Sequence, residues 1–146
     1  RCCAMEVIHI GSALGLELPK KPNHSAMAGS RFALWLGPDE WLVVDPNENP
    51  INALMNIDVL HSGVDISHRN TAVLVSGPAA SDVINSGCPR DLSPTVFPVG
   101  HCARTVVGKV EIVLFHVREN VYRIEVWRSF ADYLFTHLET AARSLD

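Results

Sequence analysis

The sequence predicts an α+β fold, an antiparallel-rich sheet with helices on one face, and three observations lead there. Strand candidates outnumber helix candidates and are often joined by tight turns, which suits hairpins better than a doubly wound parallel sheet. Residues 121–127 alternate, with Tyr122, Ile124 and Val126 on one face against Arg123, Glu125 and Trp127 on the other. Phe130, Leu134, Leu138 and Ala141 then repeat at helical spacing.

Taken in order, Val7 to Ile10 reads as an N-terminal strand. Residues 32–36 and 41–44 form a hairpin around the turn chemistry of Gly37-Pro38-Asp39-Glu40. Pro50 suits a first helical position, with Ile51, Leu54 and Met55 on one face of a short helix. Strands at 60–67 and 71–76 lead to Gly77-Pro78 and a helix whose inner stripe is Ala80, Val83 and Ile84. Gly87 is its expected left-handed stop. Residues 90–100, with Pro94 and Pro98, read as an irregular connection. Strands at 102–107, 110–117 and 121–127 follow, the middle one apolar on both faces as a central strand should be. Ser129 and Asp132 make an acidic variant of the capping box for a final helix from Phe130 to about Ser144, and Glu139 and Arg143 are spaced for an ion pair. Residues 32–55 and 110–138 echo each other as hairpin-then-helix.

A chain of 146 residues, 47% apolar and 19% charged, can bury one proper core, so a single domain is expected over 1–146. Because it begins at Arg1 and not at Met, its N-terminal segment, 1–30, is expected to be truncated. The formal charge of -4 offers no field for a polyanion, and no basic run exceeds Lys20-Lys21, so nucleic acid is not an expected partner. No apolar stretch approaches the ~20 residues of a membrane span, and Arg1 to Glu6 lacks a signal peptide's apolar segment. A cytoplasmic location without membrane attachment is the expectation. Cys2, Cys3, Cys88 and Cys102 show no Cys-x-x-Cys pair or scaffold spacing and read as reduced thiols.

No catalytic grouping emerges. The seven histidines show no His-x-His or paired helical spacing, and His116 continues a strand face as a packed imidazole. Cys88, His101 and Cys102 could approach one another but lack a fourth ligand. Ser67 and His68, adjacent in an extended strand, would point to opposite faces and so make no nucleophile–base pair. No Gly-x-Gly-x-x-Gly or phosphate loop occurs, so no flavin or nicotinamide site is visible. No residue is therefore assigned a catalytic, cofactor-binding or metal role. Trp35 and Trp41 read as core aromatics. Trp127 differs, because it shares a strand face with Arg123 and Glu125 and precedes Arg128. A Trp beside Arg on a mixed face has the composition of an interface anchor, and Arg69, between two strands, reads as a second. Arg69, Trp127 and Arg128 are thus the candidate subunit interface.

The ordered motifs Trp35-Leu36-Gly37-Pro38-Asp39-Glu40-Trp41-Leu42, Val64-Asp65-Ile66-Ser67-His68-Arg69-Asn70-Thr71, Gly87-Cys88-Pro89-Arg90-Asp91-Leu92 and Glu125-Val126-Trp127-Arg128-Ser129-Phe130 cover most of the chain. Together they resemble the gamma subunit of heterotetrameric sarcosine oxidase. Arg90 and Ser93 depart from that pattern, where an apolar residue and His are expected. The resemblance implies interlocked ferredoxin-like units similar to the folate-binding aminomethyltransferase superfamily. It further implies a non-catalytic, assembly role beside alpha, beta and delta subunits. The complex would demethylate sarcosine oxidatively to glycine, form hydrogen peroxide and pass the one-carbon unit to tetrahydrofolate. FAD, FMN, NAD, tetrahydrofolate and zinc would lie on the other subunits. The alternatives are a free-standing folate-binding or one-carbon-transfer protein, and a small metalloprotein using Cys88, His101 and Cys102.

Overall fold

In the computed structural model, which describes residues 4–145, the chain opens with a helix, α1 (Ala4–Leu14). Val7, Ile10 and Leu14 recur at i, i+3 and i+7 and are all buried. That spacing overrides the strand expected at Val7 to Ile10, since β-branched residues join a helix when its buried face needs them. Gly15, at φ 68, ends the helix in the left-handed region that a side chain resists.

Where one domain was expected over 1–146, contacts divide the chain into two compact units, 1–65 and 66–146. In the first, strands β1 (Ser25–Ala28), β2 (Arg31–Gly37) and β3 (Glu40–Val44) form an antiparallel sheet in that order, with a register irregularity between Trp35 and Gly37 at the predicted turn. β1 escaped the sequence reading because Ser-Ala-Met-Ala carries little strand propensity. Its place comes from pairing, Ser25 opposite Leu34. The core joins Val7, Ile10, Leu14, Leu16, Leu18 and Ala33, with Trp41 and Val43 packed against it. The Trp41 indole N–H donates to the Pro19 carbonyl at 2.8 Å, so this half-buried ring is satisfied. Arg31 Nε bonds Asp45 Oδ2 at 2.7 Å. The short helix α2 (Ile51–Leu54) follows Pro50 as expected, although Met55 points outward at 74% exposure. No strand forms at 60–67: Leu60 and Val64 are exposed and pair with nothing in either sheet, so an apolar run without a pairing strand stays irregular.

The second unit holds β4 (Asn70–Ser76), α3 (Ala80–Asn85), β5 (Cys102–Val107), β6 (Val110–Arg118), β7 (Val121–Trp127), a 3-10 turn (Arg128–Phe130) and α4 (Ala131–Leu145). Its sheet is antiparallel throughout, ordered β4-β7-β6-β5. Ala80, Val83 and Ile84 of α3 with Leu134, Leu138 and Ala141 of α4 share one core with Ile112, Leu114, Tyr122, Ile124 and Val126 of the sheet. Helices on one face of an antiparallel sheet is the predicted arrangement. Each fully buried aliphatic there contributes roughly 1.5–3 kcal/mol of transfer free energy. Residues 90–100 are irregular, pinned by the buried Leu92 and Phe97. The Asp91 carboxyl is held below its ordinary range by the Ser93 backbone N–H and then by the Ser93 hydroxyl.

Three local expectations change. Gly87 is not left-handed; its role is close approach, since a Cβ there would lie 2.5 Å from His137 Nε2 and 3.0 Å from the Gly108 nitrogen. Ser129 does not cap the final helix: it sits inside the 3-10 turn and makes no side-chain hydrogen bond to it. The same turn takes Phe130 out of phase with Leu134 and Leu138 and leaves it 46% exposed.

Candidate functional site

The three candidate interface residues meet at one end of the β4–β7 ladder. Asn70 lies opposite Trp127 in register, and one step further the Arg128 N–H donates to the Arg69 carbonyl at 2.8 Å. Residues 66–69 form a turn, with the N–H groups of Arg69 and Asn70 both donating to the Ile66 carbonyl at 2.9 and 3.0 Å. Ser67 and His68 therefore occupy a turn and not the strand expected for them. That turn brings the Arg69 guanidinium 4.8 Å from the Trp127 ring centroid, a cation–π contact of about 0.5–1 kcal/mol at an exposed site. Arg128 Nη1 reaches the His68 carbonyl at 3.5 Å.

Trp127 is 46% exposed and stands 6.2 Å from the Phe130 ring, tilted by 32°. Two half-exposed aromatics and two guanidiniums thus form one platform. Phe130 was missed because its spacing matched the helix core; nothing in the sequence announced the 3-10 turn that turns it outward. Among the described residues neither Arg69 nor Arg128 has a carboxylate partner, whereas Arg123 on the same strand bonds Glu125 at 2.6 Å. The Asn70 side-chain carbonyl is buried without a hydrogen-bond partner, a state that costs about 1–3 kcal/mol.

Cys88 joins the helix-side core and contacts Thr105 Oγ1 at 3.8 Å, while Cys102 alternates away from the core-facing Ala103. No group of three ligating side chains gathers among the described residues, and Cys2 and Cys3 lie outside them. His116 is buried, bonds the Phe97 carbonyl through Nδ1 at 2.8 Å and stacks on Tyr122 at 4.3 Å. Because a carbonyl only accepts, Nδ1 carries a proton, and the buried Nε2 has no hydrogen-bond partner. Ser86 and His137, a pair the sequence reading did not single out, approach to 3.3 Å. The Ser86 hydroxyl donates to the Val83 carbonyl at 2.7 Å, so the imidazole can only donate to it, the reverse of nucleophile activation.

The sequence pattern of the sarcosine oxidase, gamma subunit family matches residues 3–144. The chain belongs to this family. It is 32% identical over 129 residues to the sarcosine oxidase subunit gamma of Corynebacterium sp. (strain U-96), covering 85% of this chain and 62% of that one. To the subunit gamma of Arthrobacter sp it is 30% identical over 120 residues, covering 79% and 59%. The chain thus spans about three-fifths of the length of these relatives. A chain of the heterotetrameric sarcosine oxidase from Corynebacterium sp. U-96, solved with pyrrole 2-carboxylate, matches with a TM-score of 0.89 and 27% identity over 97% of this chain and 74% of that one. Among the described residues no helix is long and apolar enough to cross a membrane.

Proposed function

We propose that this chain is a non-catalytic gamma subunit that assembles with the alpha, beta and delta subunits of a heterotetrameric sarcosine oxidase. The complex demethylates sarcosine oxidatively to glycine, forms hydrogen peroxide and transfers the one-carbon unit to tetrahydrofolate. FAD, FMN, NAD, tetrahydrofolate and zinc reside on the other subunits, and the complex works in the cytoplasm. The observation that carries this reading is the Arg69–Trp127–Phe130–Arg128 platform: neighbouring half-exposed aromatics beside cations that lack carboxylate partners among the described residues have the make-up of an interface anchor. Desolvating the Trp127 ring on docking strengthens the Arg69 contact.

The test is to purify the chain alone and together with its co-expressed partners. Alone it should show an empty visible spectrum and no sarcosine-dependent peroxide. With partners it should co-elute in stoichiometric amount with the flavin-bearing species. A flavin band that stays with the isolated chain, or peroxide formation by it when cofactors are supplied, would contradict a supporting role.

A further inference from the structure

Among the described residues no strand pairs with the outer edge of β4. In an antiparallel pair, opposed residues alternate between those that exchange both main-chain hydrogen bonds and those that exchange none. The Arg128 N–H donates to Arg69 at 2.8 Å and the Gly77 N–H to Asn120 at 3.0 Å, and these two bonds flank the ladder from Asn70 opposite Trp127 to Ser76 opposite Val121. Arg69 and Gly77 are odd-numbered, so Thr71, Val73 and Val75 aim their N–H and C=O groups at β7. Asn70, Ala72, Leu74 and Ser76 aim theirs away from it. β4 ends the sheet, and among the described residues the outward N–H groups of Ala72 and Leu74 find no main-chain acceptor; that of Asn70 is used by Ile66.

Exposed edges are commonly blunted by a charge, a proline or a bulge. β4 carries none of these: its seven residues are Asn-Thr-Ala-Val-Leu-Val-Ser, its register with β7 runs without a shift, and Leu74 is 63% exposed. The opposite edge strand, β5, carries the exposed Arg104. The open edge is also continuous with the candidate interface, because Asn70 faces Trp127 and Arg69 precedes the strand.

We propose that the outer edge of β4 receives an extended segment of a partner subunit as a fifth strand. The segment is bonded main chain to main chain at Ala72 and Leu74 and apolar where it meets Leu74. It carries a carboxylate at the Arg69 and Arg128 end, where the two guanidiniums lack acidic partners among the described residues. This rests on the assembly reading, which makes the added strand belong to a different chain and not to a second copy.

Hydrogen exchange on the full chain, free and in the reconstituted complex, reads the edge directly. The Ala72 and Leu74 amides should slow at least tenfold on assembly, while Val73 and Val75 are protected in both states. Leu74→Pro removes an outward N–H together with the Leu side chain but no bond of the β4–β7 ladder, a change edge strands tolerate, and should weaken assembly at least tenfold; Leu74→Ala, which removes the side chain and keeps the N–H, should weaken it less. If the complex forms but the two amides exchange as fast as in the free chain, the inference falls and the assembly reading stands; this arm decides even if Leu74→Pro fails to fold. A folded Leu74→Pro chain that assembles normally has the same meaning. Protection that depends on the concentration of the chain alone would assign the edge to a second copy and overturn the proposal. If the chain binds no partner subunit, both readings fail.

Discussion

The two faces of β7 do different work with the same backbone. Tyr122, Ile124 and Val126 are at most 4% exposed and belong to the core beneath α3 and α4. Arg123, Glu125 and Trp127, alternating with them, grade from a near-buried ion pair to a ring left nearly half open. An alternating strand that covers a core with one face is free to present a recognition face with the other, and the chemistry of that face changes along its length. Toward the Gly77 end the charges are neutralised within the chain. Toward Arg69 they are not.

That contrast can be broken most severely from the core side. Ile124→Ala should destabilise the chain by roughly 2–5 kcal/mol, because the site is fully buried and its neighbours from helix and sheet cannot all collapse into the void. A denaturant melt measures this, and any loss of assembly should track the folded fraction. Glu125→Ala should cost about 1–2 kcal/mol, less than breaking a fully buried pair because the Arg123 side chain, 28% exposed, can turn to water. The core face also carries a titration signal. Burial raises the Tyr122 phenol above its ordinary value of 10.0, so the neutral ring favours the folded state. Its contribution is fully present below pH 10.0 and is lost as pH rises through the folded value, because the unfolded chain ionises first. The alkaline limb of a stability–pH profile should flatten in Tyr122→Phe. The smallest effect is expected at Ser129→Ala, below about 0.5 kcal/mol by melt, since the hydroxyl makes no cap.

The second unit was largely legible in the sequence. β4, β5, β6, β7, α3 and α4 all lie within a few residues of their predicted bounds. These elements carry clear signals, a period of two in β7, an apolar run in the central β6 and a period of three to four in the helices, with strong turn residues between them. The first unit was less legible for physical reasons. Val7 to Ile10 is too short to tell a strand from one turn of a helix without the later Leu14, and β1 is a strand by pairing and not by composition. The candidate site was half legible: Trp127, Arg128 and Arg69 were picked by residue type and face. Their convergence depends on the 66–69 turn and the 3-10 turn at 128–130, both set by backbone hydrogen bonds that no side-chain pattern advertises.

The proposed role of the Trp127 platform is assembly more than folding, and one paired measurement tests it. Trp127→Ala should leave the free chain folded, at a cost of roughly 1–3 kcal/mol in a denaturant melt, the scale of one exposed cation–π contact plus the burial of half a ring. Titrated against the partner subunits, the same variant should bind at least tenfold more weakly, about 1.4 kcal/mol or more. Unchanged affinity with a stable fold, or a free chain that unfolds on this substitution, would contradict the claim.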